Sequence, residues 1–559
     1  MRFRDGLAWT VLIFSACQSE PALPTYREPF LANEQKVAGM FPNEFPKEPL
    51  RELDSGWVFL GRDSIAGIYR DWQDPFPQAE SVSLPHRLPL PNHSLWYSWK
   101  GILEPGILLV DADDGVQCWV NEKRTPRSVD GDFFEVEVSG ETELNLRVVN
   151  NAMAGGLRGV QFFAKEAYQF WKVRKDQIIA GILVDRKLEL LQDTDLKEEW
   201  DGMSYPELKA LLADYPILFT PPVLIWSTDG GPFVRWVSES AGTAILRQKR
   251  GEEVRIESTN GIFTHKMERE SSISFDLYQG KSFQGSFSVE ATPVADSIKI
   301  ALWGDSQGGW ETFREVAEAI GAHQVDLSVG AGDLVNNGSE DWAYPRFLQL
   351  LSRMQAPQLL VPGNHDYDGY YDDLHAVQMN DYLFQPEVPT YGLQQFGPVA
   401  ILSLDPNLNF PVSVPEGTLQ REWLSEQLES DTWNNAPWKI IVLHQPPYSQ
   451  GWPGYQGERT MRQLLEPYFH RGKVDLVVAG HTHDYERLSR KFSGHPVQFL
   501  VVGGAGGGLE PEGLQSDIPQ MDRLIKKHHY GILEADDNQM RFKAYDLEGN
   551  TMDELTVRK

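Results

Sequence analysis

The stretch SIKIALWGD, residues 297–305, begins a series of apolar runs that each end in polar side chains. The later members of the series are VDLSVGAGD at 325–333, PQLLVPGNHD at 357–366, KIIVLHQPP at 439–447 and VDLVVAGHTHD at 474–484. Segments with helical spacing, such as LQREWLSEQL and ERTMRQLLEPYF, stand between several of these runs. Strands that alternate with helices predict a layered α/β domain, which we expect over residues 294–559.

Polar side chains follow the apolar runs at the point where each predicted strand ends. They are Asp305, Gln307, Asp333, Asn364, His365, Asp366, His444, His481 and His483. Because open α/β sheets bind ligands at the carboxyl ends of their strands, we expect these groups to meet at one edge. Oxygen and nitrogen donors without sulfur suit Mn, Fe or Zn. Each motif alone is also compatible with a turn or a satisfied polar residue, and their repeated placement after successive strands favours a metal site.

The order of these motifs resembles the calcineurin-like metallophosphoesterase superfamily. The family pattern Asp-x-His/Gly, Gly-Asp, Gly-Asn-His-Asp/Glu, a strand-ending His and Gly-His-x-His corresponds to residues 305–307, 332–333, 363–366, 444 and 480–483. The strings LHQPPYS and GHTHDYER look most like the purple acid phosphatase branch. A β-sandwich before the catalytic domain also fits that branch, so the resemblance covers about residues 217–559.

The resemblance implies a centre of two divalent or trivalent metal ions bridged by Asp333. The other ligands would be Asp305, Gln307 and His483 for the first ion, and Asn364, His444 and His481 for the second. In such centres a metal-bound hydroxide attacks phosphorus. His365 would donate a proton to the leaving oxygen, or hydrogen-bond to it. Asp366 would orient His365 or raise its pKa.

Two positions depart from the pattern of purple acid phosphatases. That branch has a tyrosine three residues after the Gly-Asp aspartate, and its phenolate on iron gives the colour. Asn336 stands there in this chain, which predicts a colourless enzyme. Gln307 stands where relatives have His or Gly, and an amide oxygen is a weaker, neutral donor. The loss of an imidazole favours Mn²⁺ or Fe over Zn at the first site, and the alternative is that Gln307 marks a weakened site.

Substrate contacts are predicted at two positions in the catalytic domain. Tyr448, together with Trp452 and Tyr455, would stack on a base or sugar, and loop packing is the alternative. Arg487 would contact phosphate, and a structural salt bridge is the alternative. The glycine-rich run at 503–508 lacks the Lys-Ser/Thr of a phosphate-binding loop, so it favours a tight turn beside the metals.

The first residues, MRFRDGLAWTVLIFSACQSEP, predict an export signal. An apolar stretch of about ten residues is too short to span a bilayer and has the length of a signal-peptide core. Small residues before Cys17 resemble a bacterial lipoprotein signal over residues 1–17, in which the cysteine is lipidated; an ordinary secretory signal is the alternative. Residues 18–47 predict a tether. We therefore expect a membrane-anchored, exported lipoprotein, periplasmic or on the cell surface.

Three segments precede the catalytic domain. Residues 48–165 show short alternating runs that predict a jelly-roll-like β-sandwich, residues 166–216 have helical spacing, and residues 217–293 predict a fibronectin-III-like sandwich. Tryptophans of the first sandwich either bind glycan or fill its core: Trp57, Trp72, Trp96, Trp99 and Trp119. The predicted fold class is multidomain, with N-terminal β-sandwiches followed by an α/β metallophosphoesterase domain, itself a layered β-sandwich flanked by helices.

Composition and charge limit the classes of function. The 559 residues are 41% hydrophobic and 23% charged, which is typical of globular domains and argues against extended disorder. The net charge of −29 repels phosphate backbones, so we expect no nucleic-acid partner and small phosphorylated substrates. The predicted function is an exported dinuclear phosphoesterase acting on phosphate mono- or diesters of small molecules. The alternative is a surface glycan-binding protein with a weakened or inactive phosphoesterase domain.

Overall fold

The structure is a computed structural model. It describes residues 49–63, 79–90, 93–128, 131–150, 154–191, 202–248, 251–269, 271–291, 295–340, 342–367, 376–385, 387–409, 411–509 and 511–559. The predicted signal and tether, Cys17 and Trp72 lie outside these ranges. Among the helices within them, none has both the length and the apolar character that a bilayer crossing requires.

In the described part of the N-terminal region, twelve strands form two six-stranded sheets. Their bounds are Arg51–Glu52 (β1), Trp57–Asp63 (β2), Glu80–Val82 (β3), His86–Leu88 (β4), His93–Leu103 (β5), Gly106–Ala112 (β6), Val116–Val120 (β7), Lys123–Thr125 (β8), Arg127–Ser128 (β9), Gly131–Val136 (β10), Gly140–Asn150 (β11) and Gly155–Ala164 (β12). One sheet has the order β1-β12-β6-β10-β9 with β4 also on β12, and the other has the order β3-β2-β5-β11-β7-β8. Apolar side chains from both sheets share one core. The jelly-roll-like assignment of this region stays a prediction.

The tryptophans of this region are buried. Trp57 and Trp99 lie in the core shared by the two sheets. Trp96 and Trp119 pack against each other with ring centroids 5.1 Å apart, and the Arg147 guanidinium lies over the Trp96 ring. Each of the four is at most 3% exposed, so their aromatic faces are occupied by protein.

In the described residues 154–191 and 202–216, two helices follow the sandwich, in the segment where the spacing predicts helices. Their bounds are Lys165–Leu191 (α1) and Tyr205–Leu212 (α2). The second begins at a capping box, in which the Glu207 carboxylate accepts a hydrogen bond from the backbone N–H of Ser204. Apolar residues of the two helices pack together, since Val184 of α1 contacts Leu212 of α2.

In the residues that the structure describes from position 223 onwards, twenty strands form three sheets. Their bounds are Val223–Trp226 (β13), Pro232–Val237 (β14), Gly242–Gln248 (β15), Glu253–Ser258 (β16), Ile262–Lys266 (β17), Ser272–Gln279 (β18), Ser282–Glu290 (β19), Ser297–Trp303 (β20), Leu327–Ala331 (β21), Gln358–Val361 (β22), Gly392–Phe396 (β23), Val399–Ser403 (β24), Trp438–Val442 (β25), Leu476–Ala479 (β26), Tyr485–Phe492 (β27), His495–Val502 (β28), Arg523–Ile525 (β29), His529–Asp536 (β30), Gln539–Asp546 (β31) and Thr551–Arg558 (β32). The orders are β17-β14-β13-β22-β21-β20-β30-β31-β32, β16-β15-β18-β19 and β23-β24-β25-β26-β28-β27-β29.

The described residues of this C-terminal part include six helices and two 3-10 turns. The helices are Trp310–Ala322 (α3), Ala343–Leu351 (α4), Val377–Leu383 (α5), Leu419–Gln427 (α6), Asp431–Asn435 (α7) and Arg459–His470 (α8), and the turns are Ser352–Met354 and Pro406–Leu408. Helix α3 buries Phe313, Val316, Ala317 and Ile320, whose spacing of three and four residues produces one apolar face. Helices α3 to α5 contribute to a core with the nine-stranded sheet, and α6 to α8 to a core with the seven-stranded sheet.

The nine-stranded and seven-stranded sheets pack face to face. Ile300, Val329 and Val361 of the first share a core with Ile440 and Val478 of the second, all at most 1% exposed. Strands β20, β21 and β22 are parallel to one another, and so are β24, β25, β26 and β28. Buried parallel strands explain why these runs are apolar throughout rather than alternating. The layered arrangement with helices outside agrees with the predicted fold of the catalytic domain.

The segment 217–293 differs from the separate sandwich that the sequence suggests. Strands β13, β14 and β17 extend the nine-stranded sheet through the parallel pairing of β13 with β22. The four-stranded sheet packs on them, since Leu246 and Phe275 join the same core as Trp236. The reason is that β13 pairs along one edge with β22 and along the other with β14, so these strands become part of the catalytic sheet. The sheets therefore cross the predicted boundary at residue 293.

Candidate metal centre

The predicted ligands stand where strands of the two packed sheets end. Asp305, Asp333 and Asn364 follow β20, β21 and β22 of the nine-stranded sheet, while His444 and His481 follow β25 and β26 of the seven-stranded sheet. All five side chains are buried. Because parallel strands bring their carboxyl ends to one edge, two sheets packed face to face deliver both sets of side chains to one place.

The distances show that these side chains converge. Oδ2 of Asp333 lies 3.0 Å from Nε2 of His444, and Oδ1 of Asp305 lies 3.6 Å from Nε2 of His483. Candidate ligand atoms of Asp333, His444 and His481 all lie within 4.8 Å of one another. A ligand set of carboxylates and imidazoles at this spacing suits a transition-metal ion.

The hydrogen bonds of two histidines fit metal binding. Nδ1 of His444 lies 2.8 Å from the carbonyl oxygen of Ala331, and Nδ1 of His483 lies 2.6 Å from that of Gly508. Donation from Nδ1 to a carbonyl assigns the lone pair to Nε2, the arrangement found in metal-ligating histidines. Nε2 of His444 is buried and faces Oδ2 of Asp333 at 3.0 Å. A cation bound between this nitrogen and the carboxylate would be held by both.

Glycines allow the backbone to approach the candidate ligands closely. A Cβ atom on Gly363 would lie 2.1 Å from Oδ1 of Asp333, and one on Gly480 would lie 2.3 Å from Oδ2 of Asp305. Both distances are far below an ordinary contact. The glycines of the Gly-Asn-His-Asp and Gly-His-x-His motifs therefore create the space that the carboxylates occupy.

Three candidate ligands have strained backbone conformations. The φ angles of Asp305, Asp333 and His481 are +61°, +51° and +78°. Left-handed conformations are uncommon for residues other than glycine, and they cluster at functional sites where the surrounding structure holds them in place. Here the strain turns each side chain at the end of its strand towards the shared centre.

The charges of the centre are strongly coupled. Burial raises the pKa of Asp305 well above its usual value, although the positive charge of His444 acts to lower it and the negative charge of Asp333 raises it further. Burial acts to lower the pKa of His444, but the neighbouring Asp333 carboxylate outweighs it and raises the pKa to about 9. Two carboxylates that repel each other in a buried site favour binding of a cation.

Gln307 reaches the centre as a hydrogen-bond donor. Its Nε2 donates to Oδ2 of Asp333 at 2.9 Å. A cation there would require the amide oxygen of Gln307 to face it instead. Gln307 is expected to be a weak ligand because its amide oxygen is neutral. Its hydrogen bond to Asp333 weakens it further as a ligand, because this bond directs the amide nitrogen towards the carboxylate.

His365 lies half-buried at the edge of the centre. Its backbone N–H donates to Oδ1 of Asp333 at 2.9 Å, and its Nδ1 lies 2.9 Å from the carbonyl oxygen of Asn336. Donation from Nδ1 to this carbonyl assigns the tautomer of the neutral ring, with the lone pair on Nε2. The sequence motif does not predict this role of Asn336, because it is performed by a backbone atom.

Asp366 corrects an expectation, since it does not orient the His365 ring. Its carboxylate accepts hydrogen bonds from the backbone N–H groups of Gly363 at 2.8 Å and Leu334 at 3.2 Å, and from the Tyr344 hydroxyl at 3.2 Å. Burial raises the pKa of Asp366 to about 7. The physical reason is that Asp366 points into the core, where it joins the loop after β21 to the loop after β22.

The two predicted substrate contacts also differ from expectation. Tyr448 packs in the core around Phe499, and its hydroxyl bonds to Glu466. Nε of Arg487 donates to Oδ2 of Asp553 at 2.6 Å, with Asp522 also near its guanidinium. Tyr448 therefore serves packing and Arg487 forms a structural salt bridge, which is the alternative stated for each.

Other residues of the same loops surround the candidate ligands. Trp452 and Tyr455 pack on the His481 ring, with centroids 4.9 and 5.7 Å away. Gln445 donates to Oδ1 of Asn364 at 3.2 Å, which holds that amide in one orientation. Sequence reasoning missed Gln445, although its position directly after a candidate ligand was a usable signal.

The glycine-rich run at 503–508 forms the expected tight turn beside the centre. The backbone N–H of Gly507 donates to the carbonyl oxygen of Asp305 at 2.7 Å. A Cβ atom on Gly506 would lie 2.4 Å from the carbonyl oxygen of Ser306. The turn therefore supports the loop that carries Asp305 and Gln307.

Comparisons with known proteins agree with this site. The family model for calcineurin-like phosphoesterases matches residues 298–485. Over 252 residues the chain is 29% identical to a probable purple acid phosphatase 20 of Arabidopsis thaliana, covering 41% of this chain and 56% of the relative. Over 209 residues it is 25% identical to an Fe(3+)-Zn(2+) purple acid phosphatase 12 of the same plant, covering 33% and 42%.

The overall fold is similar to that of a solved relative. The purple acid phosphatase PPD1 from yellow lupin (Lupinus luteus) seeds superposes with a TM-score of 0.50 at 14% identity, covering 83% of this chain and 92% of that one. At that identity the match concerns the fold alone. The chain spans about half the length of the curated relatives it matches.

Proposed function

From the calcineurin-like phosphoesterase domain at residues 298–485, similar to that of purple acid phosphatases, we propose that this chain is a metal-dependent phosphoesterase. The observation that carries the proposal is the convergence of buried Asp305, Asp333, Asn364, His444 and His481 after five strands. Carboxylates, an amide and imidazoles in one buried place are costly without a cation, which makes metal binding the simplest purpose of the arrangement.

The residues present fit two metal ions. Asp333 would bridge them. The others would divide as Asp305, Gln307 and His483 around the first ion, and Asn364, His444 and His481 around the second. When bound, such ions activate water and neutralise charge on the phosphoryl oxygens. We propose Fe, Mn or Zn for the pair, with the weaker donor Gln307 favouring Mn²⁺ or Fe at the first site, and no tyrosinate colour because Asn336 replaces the tyrosine.

The chain's own residues would handle the leaving group. His365, with Nδ1 engaged by the Asn336 carbonyl, would present a proton at Nε2 to the leaving oxygen of the substrate. Trp452 and Tyr455 would exclude water from one side of His481. Both phosphate monoesters and diesters are compatible with this arrangement.

The proposed substrates are phosphorylated small molecules, and the proposed location is the exported side of a membrane. The net charge of −29 disfavours large polyanions, including nucleic acids. An N-terminal lipid on Cys17 would anchor the chain, as the signal-like residues 1–17 suggest. Burial of Trp57, Trp96, Trp99 and Trp119 favours the phosphoesterase over glycan binding by these four rings.

The proposal is tested by metal analysis and phosphate-ester hydrolysis with the purified full-length chain. We expect close to two metal ions per chain after loading with Mn, Fe or Zn, with turnover of p-nitrophenyl phosphate or bis-p-nitrophenyl phosphate. The ratio of the two rates separates monoesterase from diesterase. Tyr448→Phe serves as a matched control, because Tyr448 lies outside the centre. Absence of both metal uptake and turnover would refute the proposal.

A further inference from the structure

Helix α1 ties the N-terminal sandwich to the catalytic domain. Near its beginning, Tyr168 and Trp171 pack on Phe133 of the sandwich. Towards its end, Leu183 packs on the core of the nine-stranded sheet, and Nζ of Lys187 lies 2.7 Å from the Glu239 carboxylate. A helix anchored at both ends acts as a strut, so the sandwich has a defined position beside the catalytic domain.

An arginine of the sandwich contacts the loop that follows β21. Nη1 of Arg127 donates to the hydroxyl of Ser339, and Nε of Arg127 donates to Oδ1 of Asp132 at 2.6 Å. The side chain of Arg127 is 8% exposed, and Ser339 is 7% exposed. A buried guanidinium that donates in two directions forms a rigid link between the sandwich and this loop.

The same loop holds His365. Ser339 donates from its backbone N–H and its hydroxyl to Oδ1 of Asn337, at 3.0 and 2.8 Å. The backbone N–H of Gly338 donates to the carbonyl oxygen of His365 at 2.8 Å, and Nδ1 of His365 lies 2.9 Å from the carbonyl oxygen of Asn336. Residues 336–339 therefore form a short turn, attached to His365 on one side and to Arg127 on the other.

A second part of the sandwich lies near His365. The Asp113 side chain is 10% exposed and forms an ion pair with Arg158. Burial raises the pKa of Asp113, while the charges of Arg158, Arg87 and His365 act to lower it. Because such an effect requires proximity, Asp113 lies on a part of the sandwich near His365.

We propose that Arg127 is a positioning residue for His365, so that the N-terminal sandwich completes the catalytic site of the C-terminal domain. The inference rests on the proposed phosphoesterase function. Arg127 holds Ser339, the turn 336–339 keeps its shape, and the Asn336 carbonyl then holds the His365 ring with Nε2 towards the leaving oxygen. Correct orientation of this ring matters most when the leaving group is poor and needs a proton.

The test measures kcat, KM and metal content of full-length variants on a series of aryl phosphates with leaving groups of increasing pKa. The variants are Arg127→Ala, Arg127→Lys, Ser339→Ala, His365→Ala and the combination of Arg127→Ala with His365→Ala. Arg124→Ala, in β8 of the same sandwich, is the matched control, because its guanidinium lies over the Trp119 ring instead.

We expect Arg127→Ala to lower kcat by about 10- to 100-fold for the poorest leaving group and far less for p-nitrophenol, with unchanged metal content. Ser339→Ala should show the same trend, and Arg127→Lys should recover part of the loss. In the His365→Ala background, Arg127→Ala should cause no further loss, since the two act through one group.

Other outcomes would overturn the inference. An equal loss for all leaving groups, no loss at all, or a full additional loss in the His365→Ala background would each show that Arg127 does not act through His365. If Arg127→Ala fails to fold, Ser339→Ala and Arg127→Lys decide the question by the same criteria. A wild-type chain that binds no metal and hydrolyses nothing would instead refute the proposed function.

Discussion

The substitution Gly363→Ala tests the geometry of the centre most directly. The added Cβ would lie 2.1 Å from Oδ1 and 2.3 Å from the backbone nitrogen of Asp333. An ordinary contact requires about 3.4 Å, so one of the two loops would have to move by about 1.3 Å. The nitrogen belongs to the backbone at the end of β21 and cannot rotate away, so the Asp333 side chain and the loop must shift together.

We expect this shift to affect both metal binding and stability. Overpacking of this kind costs about 1–3 kcal/mol of folding free energy. Displacement of Asp333 also weakens its hydrogen bond from the His365 N–H, now 2.9 Å long. Loss of ligand orientation typically lowers metal affinity by about 10- to 100-fold, which we expect here for Mn²⁺ and Zn²⁺.

The assay is calorimetric titration of the metal-free chain with Mn²⁺ or Zn²⁺, together with thermal unfolding in a chelator. Gly508→Ala is the matched control, because a Cβ at that position meets nothing within 4 Å although its carbonyl binds His483. Wild-type affinity and unchanged unfolding in Gly363→Ala would refute the reasoning, since they would require the two loops to be further apart than the structure has them.

Three further substitutions test separate groups. His365→Ala should keep both metals and slow turnover by about 10²–10⁴, least for good leaving groups; equal loss on all substrates in a leaving-group series would argue against proton donation. Asp333→Asn should lose metal in elemental analysis because the bridging charge is gone, and full occupancy would remove the bridging assignment. Asp553→Ala should reduce the unfolding free energy by about 3–5 kcal/mol in denaturant titration, because it leaves Arg487 without its buried partner. KM should not change in that variant, and a raised KM would return Arg487 to a substrate role.

Much of the candidate site could be predicted from the sequence because its ligands are local features of strand ends. A strand of apolar residues followed by Gly-Asp or Gly-His specifies where the polar group stands along the chain. The convergence of Asp305 and Asp333 follows from the parallel pairing of β20 and β21, which the alternation of strands and helices predicts. Residue types and their order along the chain were therefore sufficient to predict that Asp305 and Asp333 lie close together.

Contacts between distant segments could not be predicted in the same way. Asp366 stands next to His365 in sequence, yet its carboxylate binds the backbone of Leu334 and Gly363. The ring of His365 is held by a carbonyl instead, and any residue type at position 336 supplies one. Side chains of adjacent residues therefore contact different parts of the fold, and only the tertiary structure shows which contacts each of them makes.

By itself, the sequence predicted the candidate ligands, the strands that carry them and the departure at Gln307, because these depend on residue type, motif order and local periodicity. Tertiary structure alone decided that the candidate ligands come from two packed sheets, that strands of 217–293 continue one of them, that Tyr448 packs in a core and that Arg487 pairs with Asp553. It also brought Arg127 to Ser339 across more than two hundred positions. Such pairings depend on how whole sheets and helices bury their apolar faces, a global balance that no local pattern encodes.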